Sequence, residues 1–151
     1  MRKNVFLCIL ILCLSLFAVA EDEALLRIEA SSNPKRLSRG QKGTIVLKLS
    51  LEEGMFISPE PSFIIEFSPC EELIVPKSLS TDYDLKIDVL EENGKDYLNL
   101  SEDIEIPFTV RLMAKQGKHL LEGKIKYFAH SKEEGWCLKY TSKFSVAFYI
   151  K

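Results

Sequence analysis

The sequence lacks most of what would place it in a familiar functional class. Only one stretch of its 151 residues is a long, almost unbroken apolar run, Val5 to Phe17. No later segment reaches the ~18 apolar residues that a spanning helix needs. Beyond residue 20 no stretch repeats its apolar residues at helical spacing, which excludes a helical bundle. There is no internal repeat, no low-complexity tract, no glycine-rich phosphate loop and no cofactor motif, so no cofactor is expected. Charge of one sign is also missing. Twenty Lys and Arg stand against 22 Asp and Glu, a net charge of −2. That balance argues against nucleic acid as the main partner. Lys35, Arg36, Arg39 and Lys42 form a local basic stretch, but Pro34 and Gly40 mark it as a solvated loop.

What is present begins with a leader. Arg2 and Lys3 precede the apolar run, and Ala18-Val19-Ala20 is a small-x-small cleavage site followed at once by Glu21-Asp22-Glu23. This is the pattern of a secretory signal peptide covering residues 1–20. An uncleaved anchor is the alternative, although the run is short for crossing a bilayer. Neither Cys8 nor Cys13 closes the apolar run after a small residue, so lipidation is not expected. Cleavage after Ala20 removes Arg2 and Lys3, which leaves 18 basic residues against 22 acidic ones and a net charge of −4. The mature chain, residues 21–151, is then one periplasmic or secreted domain, expected to be a monomer and not membrane-spanning.

Period-two alternation dominates the rest, the mark of half-buried strands. Ile45, Leu47, Leu49 and Leu51 form one inward set, and Leu85, Ile87 and Val89 another. Ile104, Ile106, Phe108, Val110 and Leu112 form the longest. Leu121, Ile125, Tyr127 and Ala129 follow, and Phe144, Val146, Phe148 and Ile150 close the chain. Turn signals fall between them at Glu52-Glu53-Gly54, Glu92-Asn93-Gly94, Gln116-Gly117 and Glu133-Glu134-Gly135. Pro59, Pro61, Pro69 and Pro76 cut the intervening stretch short, and Pro107 calls for an edge or a bulge. Many short strands at this spacing predict an all-β fold, an antiparallel immunoglobulin-like sandwich. Trp136, Tyr140, Phe144 and Phe148 share one parity and are expected in its core.

The segment Lys124 to Phe148 carries the chemistry. Two alternating strands flank a polar loop that ends in Gly135. A hairpin symmetric about that loop sets His130 opposite Cys137, Ala129 opposite Leu138 and Tyr127 opposite Tyr140. Directly opposed Cβ atoms lie about 4.5–5.5 Å apart. His130 and Cys137 are therefore candidate neighbours on the face that points away from the core. Tyr127-Phe128-Ala129, then Gly135-Trp136-Cys137, resemble the active-site hairpin of the amino-terminal periplasmic domain of the thiol:disulfide interchange protein DsbD, the disulfide bond corrector-like domain. That hairpin reads aromatic-x-Ala-Cys, a short polar loop, then a second Cys. Gly54-Met55-Phe56-Ile57 and Gly123 to Tyr127 resemble other parts of that domain more loosely. The resemblance covers most of residues 25 to 150.

The resemblance implies thiol–disulfide exchange. Two hairpin cysteines would take electrons from a membrane redox partner and pass them to thioredoxin-like periplasmic proteins through mixed disulfides. This sequence departs from the pattern at the decisive place, because His130 stands where the first cysteine belongs. Four readings of the site remain open. The domain is a binding module of the cell envelope, and Cys137 is residual. Or a cationic His130 lowers the pKa of Cys137 and keeps thiol chemistry alive. Or Cys137 pairs with Cys70 of the Ser68-Pro69-Cys70-Glu71 turn in a structural or relocated redox disulfide. Or His130, Cys137, His119, Met55 and Met113 supply soft ligands for copper, although no two stand at a recognised spacing, and no metal is expected. No oxyanion donors or orienting Asp or Asn accompany the Cys–His pair, so a hydrolase is not supported.

Overall fold

A computed structural model describes residues 25–151. The leader expected over residues 1–20, its cleavage after Ala20, and Cys8 and Cys13 lie outside the described residues. These fold as an antiparallel, immunoglobulin-like β-sandwich. The strands are β1 (Leu26–Asn33), β2 (Arg36–Leu37), β3 (Lys42–Leu51), β4 (Met55–Ser58), β5 (Ile64–Phe67) and β6 (Leu73–Ile74). They continue with β7 (Leu79–Thr81), β8 (Val89–Glu92), β9 (Lys95–Leu98), β10 (Ile104–Val110), β11 (Gly117–Ser131) and β12 (Cys137–Ile150). One sheet runs β1-β3-β10-β6, and the other β2-β12-β11-β5-β7. The hairpin β8–β9 stands apart as its own two-stranded sheet.

Alternation builds both layers. In β12, Ser142, Phe144, Val146, Phe148 and Ile150 are buried, while the residues between them are exposed. Strand β11 answers with Leu121, Ile125, Tyr127 and Ala129, and the facing sheet with Ile45, Leu47, Ile106, Phe108 and Val110. Each large aliphatic or aromatic side chain buried this way contributes roughly 1.5–3 kcal/mol relative to exposure. The inward set of β11 skips Gly123, which is paired with Phe144. A Cβ at Gly123 would lie 2.4 Å from the Phe144 ring. The glycine makes room for that ring across the rung. At the sandwich centre the Tyr127 hydroxyl accepts from the Leu26 amide (3.2 Å) and hydrogen-bonds Ser142 Oγ (3.0 Å). Burial raises the pKa of this phenol, and the two hydrogen bonds oppose that rise.

Strands β4 and β5 both pair with the same edge of β11, β5 along Gly123–Lys126 and β4 along Phe128–Ser131. They are one strand interrupted by residues 59–63, where Pro59 and Pro61 stand. Pro107 lies in β10, which pairs with β3 on one side. On its other side β6 reaches only Thr109 and Val110, so the strand is open at the proline as expected.

Three sequence expectations are corrected. Leu85 to Val89 is not a strand until Val89. Residues 82–86 form a turn in which Lys86 takes a φ of 56°. The Asp84 carboxylate accepts from the Thr81 amide (3.0 Å) and pairs with Lys77, which competes with any strand ladder. Those contacts, the Lys77 hydrogen bond first, hold the Asp84 pKa down at about 2. Leu112 lies beyond the end of β10 and is exposed. Trp136 and Tyr140 are only partly buried, although both pack against the core.

Candidate functional site

The site is the mouth of the β11–β12 hairpin. Its register is the one the loop symmetry predicts: His130 opposite Cys137, Ala129 opposite Leu138, Tyr127 opposite Tyr140. The Ser131 amide donates to the Trp136 carbonyl (3.1 Å), and the Gly135 amide donates to the Ser131 carbonyl (3.1 Å). Gly135 has a φ of 71°, a left-handed conformation that glycine adopts without steric cost. Hydrogen-bonded and open rungs alternate in an antiparallel ladder. Because Ser131–Trp136 is bonded, His130–Cys137 is an open rung, the kind whose Cα atoms approach to about 4.5 Å.

The loop is tied down from three sides. Ser131 Oγ accepts from the Glu134 amide (3.1 Å), and Trp136 Nε1 donates to Glu134 Oε2 (2.6 Å). The Lys132 amide donates to the Gly54 carbonyl (2.9 Å), which fixes the tip to the turn before β4. Lys132 Nζ also bonds Glu92 Oε2 (2.7 Å) and lies 5.8 Å from the centre of the Tyr97 ring. The β8–β9 hairpin is thereby clasped to the mouth. These partners, with Phe56, are what the sequence reading missed. Gly54-Met55-Phe56-Ile57 stood out only as a resemblance, and its contact depends on the β4–β11 register.

His130 and Cys137 share a rung but not an environment. Cys137 is exposed and free. The His130 ring stacks on Phe56 at 4.9 Å and 9°, and Phe56 in turn meets Tyr97 edge-on at 6.0 Å. Its Nε2 is buried, with no hydrogen-bond partner among the described residues. Burial pushes the His130 pKa below its ordinary value, and the positive charge of Lys95 adds to this. The cation that would activate Cys137 is therefore disfavoured. The sign of the pH dependence follows. Folding favours the neutral imidazole, so its stabilising effect is complete above about pH 6.5 and is lost as pH falls through the lower folded value. Titrated by NMR, the His130 ring should show a midpoint below that of an ordinary histidine. Phe56→Ala should raise it. A midpoint at or above 6.5 would remove this account of the stack.

The remaining candidates lie elsewhere. The Ser68 amide donates to the Glu122 carbonyl (2.9 Å), which places the Cys70 turn beside the far end of β11. Cys70 shares a cleft there with Leu121 and Arg111. Leu121 and His130 are nine strand positions apart, about 30 Å at ~3.3 Å per residue. A disulfide needs Cα atoms within about 7 Å. Both thiols are free, and the Cys70–Cys137 bridge is not formed. The copper ligand set is not brought together either. His119 is at the far end of β11, with Nε2 against the Lys115 carbonyl (2.7 Å), and Met113 is exposed beyond β10. Only Met55, opposite Ser131, lies near the mouth.

No known sequence family matches this chain, and neither does any curated protein. Similar folds occur among solved structures. A point-substituted variant of BcpA, the major pilin subunit of Bacillus cereus, gives a TM-score of 0.44 at 11% identity, covering 83% of this chain. A cohesin module of a family 33 glycoside hydrolase from Clostridium perfringens gives 0.42 at 14%, covering 83% of this chain and 96% of that one. The N-terminal periplasmic domain of ScsB from Proteus mirabilis gives 0.40 at 11%, covering 82% of this chain. The chain spans 40% of the length of the pilin structure and 45% of the ScsB structure. Each is a likeness of fold.

Proposed function

We propose that this chain is an exported, DsbD amino-terminal-like domain of the cell envelope that contacts other proteins at its hairpin mouth and has no intrachain disulfide relay. Residues 1–20 act as the leader and residues 21–151 as the working domain. The observation that carries the reading is the rung itself. Cys137 is exposed on an open rung, its rung partner is His130, and Cys70 sits beside Leu121, about 30 Å from that rung along β11. One accessible thiol remains for chemistry with another chain. The Cys137 thiolate attacks a disulfide of a thioredoxin-like partner. A new intermolecular S–S bond forms, the partner's S–S bond breaks, and its second sulfur leaves as a thiolate. Among the described residues no second thiol of this chain stands near the mixed disulfide, so it is resolved by an outside thiol or by return of the partner's own released thiolate.

A second reading, a binding module without redox chemistry, is favoured by the suppressed His130 cation. One experiment separates the two. The chain is mixed with a thioredoxin-like protein whose second active-site cysteine is replaced by serine and whose first carries a thionitrobenzoate disulfide, so that thionitrobenzoate leaves on attack, and adducts are scored with and without reductant. Wild type and Cys70→Ser should give a reducible one-to-one adduct, and Cys137→Ser none. An adduct absent from all three removes the redox reading and leaves the binding module, and one surviving in Cys137→Ser assigns the thiol chemistry to a cysteine away from the mouth.

A further inference from the structure

The outer face of the second sheet carries a charge that the whole chain does not. Outward residues of β11 and β12 alternate with the buried ones, and they include Lys118, Lys124, Lys126, Lys139 and Lys143. Arg36 of β2 joins them, its guanidinium 4.6 Å from the centre of the Tyr149 ring. Against these six cations the strands place two carboxylates on that face, Glu66 and Glu122. Glu66 is shared between Lys126 (3.1 Å) and Lys124 (3.6 Å). Lys118, Lys139 and Lys143 form no ion pair among the described residues. The net charge of −2 hides this because the acids are concentrated elsewhere. Residues 82–105 hold nine Asp and Glu against two Lys.

Two features narrow the partner. Lys124 lies directly opposite Lys143, a like-charged rung that weakens a sheet in water and is relieved when negative charge covers it. The face is also small. From the Lys118 rung to the Lys139 rung it is about 33 Å long, and from β2 across β12 and β11 to β5 it spans ~14 Å. That gives roughly 450 Å², little more than half of the ~800 Å² a stable protein interface takes from each partner. Exposed Leu120 and Tyr149, residue types suited to a lipid–water boundary, stand on the same face.

We propose that this face docks the domain on an anionic phospholipid surface. Each lysine near such a surface strengthens binding by about fivefold, and the attraction falls within a Debye length of ~8 Å at physiological salt. This reading does not depend on the chemistry of Cys137. The test is co-sedimentation of the full chain with vesicles of phosphatidylglycerol and phosphatidylcholine, beside vesicles of phosphatidylcholine alone. Both substituted lysines are exposed, so Lys139→Gln/Lys143→Gln is expected to keep the wild-type melting temperature. Binding should favour the anionic vesicles and weaken with added salt. The double variant should bind them about 30-fold less well. Three results overturn the proposal. One is equal binding to both vesicle types. Another is unchanged binding of the double variant. The third is lysine-dependent capture by immobilised poly-glutamate with no preference for anionic vesicles, which assigns the face to an acidic polypeptide.

Discussion

His130→Cys closes a cross-strand disulfide with Cys137 under mild oxidant. The open rung brings the two Cα atoms to about 4.5 Å, near the close end of the disulfide range of roughly 4.4–6.8 Å. The register is held on both sides, by the Ser131–Trp136 bond at the tip and by the long ladder behind it. Removing the imidazole also leaves space beneath Phe56 in which the new sulfur can turn. The closed loop is short, so the chain-entropy account gives a stabilisation of only about 2–3 kcal/mol. The larger effect is chemical, because the variant gains a two-electron dithiol–disulfide couple at this rung. Thiol counting should find both positions blocked before reductant and free after it. Two persistently free thiols would contradict the register.

Phe144→Ala destabilises the domain by about 3–5 kcal/mol, the range for truncating a buried phenylalanine. The ring packs over Gly123 and meets Phe67 edge-on at 5.8 Å. Gly123→Ala alone costs about 1–3 kcal/mol, because its new methyl group meets a ring with little room to retreat. Together the two changes do not add. With the ring gone, the methyl fills part of the cavity, and Gly123→Ala should become neutral or stabilising in the Phe144→Ala background. Denaturant melts of the four proteins give the coupling directly. Additivity within about 0.5 kcal/mol would show that the ring and the glycine do not share this space.

The hairpin was legible in the sequence because its information is local. Loop symmetry about Gly135 and strict alternation are enough to set His130 opposite Cys137, and the structure has that rung. The sandwich was legible for the same reason, since β12 announces its buried face every second residue. What failed depended on contacts distant in sequence or on side-chain bonds. Leu85, Ile87 and Val89 alternate as a strand would, yet Asp84 captures the Thr81 amide and turns the chain. The His130 environment was misjudged because Phe56 and Lys95 arrive from other elements. Cys70 could not be placed relative to Cys137 until β5 and its following turn were set against β11.

The interruption between β4 and β5 divides the edge of β11 into two separately held parts. The inner part is sealed by β5, with Ile65 and Phe67 in the core. The outer part is held by the four rungs of β4, the Phe56 stack and the Lys132–Glu92 contact. Proteins open in cooperative units, and a unit with few buried contacts opens at less free energy than the whole. The end that carries Cys137 can thus fray while the sandwich behind it stays folded. Solvent access to the buried His130 Nε2, unlike that of the exposed Cys137, is then set by a local equilibrium, tuned by Phe56 and Glu92, and not by global stability.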